Sequence, residues 1–261
     1  MIPRVLTIAS SDSGGGAGIQ ADLKAIARCR AHGMSAIAAL TAQNTTGVTG
    51  IHEVPPEFVA EQIATVLHDI GADAAKTGML FSAPIIEAVA AELDAVCAKP
   101  GGLPLVVDPV MVASSGARLL RPDAVKALTG KLFPLATVVT PNLMEAQALT
   151  GLDTEDRALL AERLVAMGAA AAVVTGGHGR EPVDHLYDGS AHVRVPVIRH
   201  AVAATHGAGC THSAAFAAGL AAGLSLAGAA RQAAAVASDA VAHGLAGLGA
   251  GEGPVHALHG R

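Results

Sequence analysis

An α/β fold, with a central, mostly parallel sheet covered by helices on both faces, is predicted by three features of the sequence. Short, almost continuously apolar runs alternate with longer stretches of helical periodicity, the pattern of strands buried on both faces. Three of these runs stop at a polar residue: Val106-Val107-Asp108, Val138-Val139-Thr140 and Val173-Val174-Thr175. Aromatic residues are scarce, with no Trp, one Tyr and four Phe, so the core must be Ala, Val, Leu and Ile packed closely, which suits helices lying flat on a sheet. The 261 residues are 51% hydrophobic and 15% charged. That is enough for one large core, and with no linker or internal repeat in view we expect a single domain over 1–261.

Val5-Leu6-Thr7-Ile8-Ala9 is the first strand. It runs into the loop Ser10-Ser11-Asp12-Ser13-Gly14-Gly15-Gly16-Ala17-Gly18, and a helix follows from about Ile19. A second strand spans Met34 to Leu40, and the stretch Thr41-Ala42-Gln43-Asn44-Thr45-Thr46-Gly47 after it is expected to be a polar loop. A helix from Pro56 to about Ile70 carries Val59, Ile63, Val66 and Ile70 on one face. After a strand at Ala74–Thr77, Pro84 opens a helix with Ile86, Val89, Leu93 and Val96 in line. The three Val-Val strands follow, their polar ends at the sheet edge where open α/β sheets bind ligands. Asp108, Thr140 and Thr175, with Asn142 and Glu145, are therefore expected around one crevice; each also suits a helix cap or a turn. Segments Asp184 to Tyr187 and His192 to Pro196 flank Asp188-Gly189 and predict an antiparallel hairpin at one edge of the sheet. Two helices close the chain, one over 213–223 and one capped by Ser225.

Composition narrows the function. A net charge of −5, with Lys and Arg scattered, leaves no basic stripe for nucleic acid. Three cysteines without a CxxC pair suggest neither a disulfide framework nor a zinc site, and fit a reducing cytoplasm. The twelve histidines include no HExxH. The N-terminus lacks the length and flanks of a signal peptide, and no apolar run has the character of a membrane span. The first glycine loop does not match GxGxxG, and no P-loop sequence occurs.

The stretch Thr205-His206-Gly207-Ala208-Gly209-Cys210-Thr211 opens an Ala-rich helix. Its glycines allow the backbone to bend and present N–H groups at a helix N-terminus, where unpaired donors and the macrodipole favour an anion. Cys210 in that field is expected to have a lowered pKa and to serve as a base or nucleophile. The same residues also suit a plain glycine turn ahead of a helix with one buried cysteine.

Several motifs together resemble one family. The segment from Leu6 to Lys24, then Thr41-Ala42-Gln43-Asn44-Thr45, Lys76-Thr77-Gly78-Met79-Leu80, Asp108-Pro109-Val110-Met111-Val112-Ala113, Thr140-Pro141-Asn142-Leu143-Met144-Glu145-Ala146 and the 205–211 stretch are similar, in family order, to hydroxymethylpyrimidine/phosphomethylpyrimidine kinases of thiamine biosynthesis. The resemblance implies a ribokinase-like three-layer sandwich with a small antiparallel edge, phosphoryl transfer from MgATP to a hydroxymethylpyrimidine and then to its monophosphate, and a homodimer. It implies Cys210 as the group that takes or orients the acceptor proton, and Gly207 and Gly209 as the phosphoryl cradle. Asn142, Thr175, Thr205 and Ala208 would contact ATP, Asp108 and Glu145 would hold Mg²⁺, and Asp22, Gln43, Met79 and Val110 would line the pyrimidine. An amide at Gln43 offers the paired donor and acceptor that an aminopyrimidine edge needs. Departures from the resemblance are Thr175 for a usual Lys, Ala204 for Asn, Ser114 for Lys, Ser10 for Gly and His212 for an apolar residue. They suggest altered phosphate handling, for which Arg180 or a nearby histidine could compensate. Two other functions share these features: a pyridoxal or pyridoxine kinase, and a nucleotide- or vitamin-precursor-binding protein that has lost turnover.

Overall fold

The computed structural model of the chain describes residues 1–98, 101–111 and 122–259. Its strands are β1 (Arg4–Asp12), β2 (His32–Asn44), β3 (Gly47–Glu53), β4 (Ala74–Thr77), β5 (Leu105–Val107), β6 (Val138–Val139), β7 (Ala172–Val174), β8 (Val183–Tyr187) and β9 (His192–Pro196). Its helices are α1 (Gly18–Arg28), α2 (Pro56–Asp69), α3 (Ala83–Cys97), α4 (Pro122–Ala127), α5 (Leu143–Thr150), α6 (Arg157–Ala166), α7 (Ala208–Ala221) and α8 (Leu226–Ala242).

The strands form one nine-stranded sheet in the order β3-β2-β1-β4-β5-β6-β7-β8-β9. The run from β2 to β7 is parallel, and β3, β8 and β9 are antiparallel. Successive side chains of a strand point to opposite faces, and β1 shows the result. Leu6 and Ile8 join a core with Val59 and Ile63 of α2, Ile86 and Val89 of α3 and Leu160 of α6. Val5 joins the opposite core with Ile26 of α1, Phe216 of α7 and Ala230 of α8. The α7–α8 contact is built from alanines, and a Cβ at Gly219 would lie 3.1 Å from Ala229, so these helices approach closely without large side chains.

Three expectations change. The 41–47 stretch is not a loop: β2 continues to Asn44 and turns directly into β3, with Asn44 opposite Gly47. The Asn44 side-chain oxygen accepts from the N–H groups of Thr46 and Gly47 at 2.9 and 3.2 Å and closes the turn. An edge strand half open to solvent tolerates polar residues, which hid it, and the sheet is antiparallel at both edges, not one. The helix placed over 213–223 begins earlier, at Ala208, because Gly207 takes the left-handed conformation as its cap and the Thr211 N–H bonds to the Gly207 carbonyl at 2.9 Å. Ile70 lies beyond the end of α2 and is 42% exposed, so the buried stripe of that helix stops short of it.

The C-terminal ends of the parallel strands carry Asp12, Thr77, Asp108, Thr140 and Thr175 to one edge of the sheet. Among the described residues no helix is long and apolar enough to cross a membrane.

Candidate active site

Two glycine loops interlock at that edge. Asp12, 3% exposed at the end of β1, accepts from the N–H groups of Gly14, Gly16 and Ala17 at 2.8, 3.0 and 2.8 Å and so shapes the first loop around its own carboxylate. His206 Nε2 lies 3.0 Å from the same carboxylate and ties in the second loop. Burial alone would raise the Asp12 pKa; the His206 ring and the Ala17 and Gly14 amides outweigh it and hold the carboxyl below its ordinary value. Gly207 has φ +86°, and a Cβ there would lie 1.8 Å from the Gly16 carbonyl oxygen, so only glycine lets the loops meet. Gly209 is different. A Cβ there would meet nothing within 4 Å, and among the described residues the N–H groups of Gly209 and Cys210 have no backbone acceptor. Open space beside free helix N-terminal amides is chemically suited to an anion.

Cys210 stands in the first turn of α7, and the Gly18 N–H at the start of α1 also points at its sulfur, so two helix N-termini converge on the thiol. The pKa nevertheless moves opposite to expectation. Some of the residue's surface reaches solvent, yet burial pushes the thiol up to about 12, against the pull of the Lys76 ammonium and with Asp22 and Asp108 adding to the rise. In the free protein Cys210 is therefore a thiol able to orient a hydroxyl, not a preformed thiolate.

Lys76 lies wholly buried on β4, with Nζ 2.9 Å from each Asp22 oxygen, and the Thr7 hydroxyl donates to Asp22 at 2.6 Å. Burial would discharge the lysine, but Asp22, with Cys210 and Asp108 nearby, holds its pKa above the usual range. Burial raises Asp22 even against Lys76 and Thr7. With an ammonium at contact with both oxygens the pair stays ionic, the direction Lys76 indicates. Gly78 leaves room for it, since a Cβ there would lie 2.8 Å from Nζ. Asp22, 0% exposed, has its carboxylate turned to Lys76 and Thr7.

Asp108 and Glu145 are both buried at the edge between β5 and β6. The Ser213 hydroxyl donates to Asp108 at 2.8 Å, joining α7 to β5. Burial raises the Asp108 pKa against Lys76 and Ser213, and burial with repulsion from Asp108 drives Glu145 up to about 8, against the Asn142 and Met111 amides. Two buried carboxylates, both with raised pKa and one raising the other, fit a divalent cation. Among the described residues no group of three or more His, Cys, Asp or Glu is placed to hold a metal ion. Asn142 takes the helix-cap alternative: it heads α5, accepts from the Glu145 N–H at 3.0 Å, and its own N–H reaches Glu145 at 2.9 Å.

Gln43 comes to the same place as the anion-receptive loop. Its Nε2 is 3.4 Å from His206 Nε2, and its Oε1 accepts from the Thr41 hydroxyl at 3.0 Å. Met79 is buried above Gly78 and its carbonyl accepts from the Ser10 N–H at 3.1 Å; Val110 is half-buried beyond Asp108. Thr175 is half-buried at the end of β7, its N–H bonded to the Pro141 carbonyl at 3.0 Å. Ala208 is the first residue of α7. Thr205 donates its hydroxyl to Glu252 in the C-terminal segment. The Arg180 side chain is 92% exposed, with Glu155 4.0 Å away. Val112, Ala113 and Ser114 lie outside the described residues.

The roles of Asp12, Lys76 and His206 were not found from sequence. Signals existed: an Asp ahead of a glycine run marks a loop that folds around a carboxylate, and a lysine inside the apolar strand Ala74–Thr77 marks a buried charge.

A family model described as phosphomethylpyrimidine kinase matches residues 12–256. The hydroxymethylpyrimidine/phosphomethylpyrimidine kinase of Rhizobium meliloti (strain 1021) is 48% identical over 261 residues, covering 97% of this chain and 96% of that protein. Among solved structures, an ADP complex of Bacillus subtilis pyridoxal kinase matches with TM-score 0.88 and 37% identity, covering 100% of both chains. Phosphomethylpyrimidine kinase from Clostridium difficile matches with TM-score 0.79 and 35% identity over 92% of this chain and 99% of that one.

Proposed function

The chain belongs to the phosphomethylpyrimidine kinase family, and from that premise we propose that it transfers a phosphoryl group from ATP to hydroxymethylpyrimidine and to its monophosphate in thiamine biosynthesis. One observation carries this: Gln43, an amide suited to an aminopyrimidine edge, and the free amides of α7 open on one site, joined through His206. Phosphoryl transfer asks mainly for alignment and charge compensation. In our reading the free amides of Gly209 and Cys210, presented by the turn through Gly207 and Ala208, receive the moving phosphoryl group while the Cys210 thiol orients the acceptor hydroxyl. Lys76 and the converging helix ends lower the cost of the thiol's later ionisation. Mg²⁺ held by Asp108 and Glu145 would neutralise phosphate charge as it builds. Asn142 keeps Glu145 in place for that task, and Thr175 lines the ATP side. Met79 and Val110 wall the ring, and Asp22 supports Lys76 below it. We further propose a single kinase domain acting as a cytoplasmic homodimer on small molecules, without nucleic-acid or membrane partners.

The pyridoxal kinase alternative rests on the close structural match, but sequence identity is higher toward the pyrimidine kinase. A coupled ADP-release assay over hydroxymethylpyrimidine, its monophosphate and pyridoxal separates the two. Turnover of both pyrimidines, with pyridoxal slower, is expected; brisk turnover of pyridoxal alone would replace the substrate assignment. Nucleotide binding without turnover on any acceptor would favour the inactive binding protein.

A further inference from the structure

The turn 176–181, which follows β7 and leads into β8, is held by side chains that the chemistry above does not use. Arg199, between β9 and α7, donates from Nε and Nη2 to the Gly176 carbonyl at 2.9 and 2.6 Å. It also donates to the carbonyls of Gly179, His178 and Glu181 at 2.7, 2.8 and 2.9 Å. On the other side of the same residue the Gly176 N–H donates to Asp184 Oδ1 at 2.6 Å. Asp184 is 2% exposed, and its second oxygen lies 2.8 Å from Nε2 of His212, itself 5% exposed on α7. A carboxylate only accepts, so Nε2 carries the proton in this pair; Nδ1 is buried without a partner. The glycine is required, because a Cβ at Gly176 would lie 2.5 Å from the Val183 backbone. Both ends of one glycine are thus fixed, and His212 links that turn to the helix that presents Cys210.

We infer that Arg199, Asp184 and His212 are positioning residues that hold the 176–181 turn as the nucleotide-facing wall of the site, in register with the first turns of α7. The inference rests on the kinase function proposed above. A turn fixed in advance spares the nucleotide the entropy of ordering it, so loosening it weakens ATP and ADP while leaving the acceptor side, at Gln43, unchanged. Thr175 has no charge with which to grip phosphate, which makes the fixed shape of this wall more important.

The test compares the full-length wild type with Arg199→Ala, Arg199→Lys, His212→Leu and Asp184→Asn. ADP affinity is measured by titration calorimetry, KM for ATP and for the pyrimidine by turnover, and folding by thermal midpoint. Arg199→Ala should weaken ADP and raise KM for ATP by about tenfold, and His212→Leu by about fivefold, the scale of lost charge-assisted hydrogen bonds. KM for the pyrimidine should move less than about twofold. Arg199→Lys should recover part of the loss, and Asp184→Asn, which keeps an acceptor for the Gly176 N–H, should lose less than His212→Leu. Unchanged ADP affinity in folded Arg199→Ala and His212→Leu proteins would overturn the inference alone, as would an equal loss on the acceptor side. If Arg199→Ala does not fold, His212→Leu and Arg199→Lys decide on the same criteria. A wild type that binds no ADP would overturn the kinase function and this inference together.

Discussion

Cys210 has two properties in tension: two helix N-termini aim at its sulfur, and its surroundings push the thiol up to about 12. Burial decides, since the carboxylates of Asp22 and Asp108 add to it and only Lys76 opposes it strongly. The thiol should therefore alkylate slowly with iodoacetamide at neutral pH in the apo protein, as read by mass spectrometry of its peptide; rapid labelling would contradict the protonated state. Cys210→Ala should lower kcat by roughly 100-fold with KM nearly unchanged, the range for removal of a proton-handling group. A near-normal kcat would remove Cys210 from the chemistry. The place of this residue at a glycine-flanked helix start was legible in the sequence. Its protonation was not, because a pKa depends on groups contributed by β4, β5 and α1, all distant in the chain.

At the level of elements, the first turn of α7 depends on a contact with the loop after β1. Gly207→Ala would place a Cβ 1.8 Å from the Gly16 carbonyl in a left-handed backbone conformation. A loss of about 2–4 kcal/mol in denaturant unfolding is expected, together with loss of activity. In the proposed site the end of β2 contributes the other half. Gln43→Met removes the amide that lies between Thr41 and His206, and should raise KM for the pyrimidine about tenfold while leaving KM for ATP within about twofold. An unchanged pyrimidine KM would reassign ring recognition. Alternation of apolar runs located the parallel strands well, since strands buried on both faces leave little choice of residue. The β2–β3 hairpin escaped because an open edge strand can be as polar as a loop, and the early start of α7 escaped because glycine propensity argues against helix until packing overrides it.

Across the molecule, the strand ends gather more buried acid than buried base, and this makes stability depend on pH and metal. Glu145 ionises near 4.5 when unexposed to the fold and at about 8 within it, so the folded chain holds the proton more tightly. Its contribution is full below about 4.5 and is lost as pH rises through about 8, and the raised Asp108 acts in the same direction. Without Mg²⁺ the urea midpoint should fall between about pH 5 and pH 8.5; with MgATP the fall should be smaller, and binding near pH 7 should release protons measurable in buffers of different ionisation heat. A midpoint flat over that range, with or without MgATP, would show that the acids are not coupled in this way. By itself the sequence determined the layered architecture and the residue types at the sheet edge, because hydrophobic period and strand-end polarity are local properties of the chain. Only the tertiary structure decided that Asp22 pairs with Lys76, that Asn142 caps α5, that Thr205 bonds to Glu252 and that Gln43 meets His206. Those outcomes depend on distances between segments remote in sequence, and a partner within hydrogen-bond reach redirects a polar side chain more strongly than its own neighbours in the chain can.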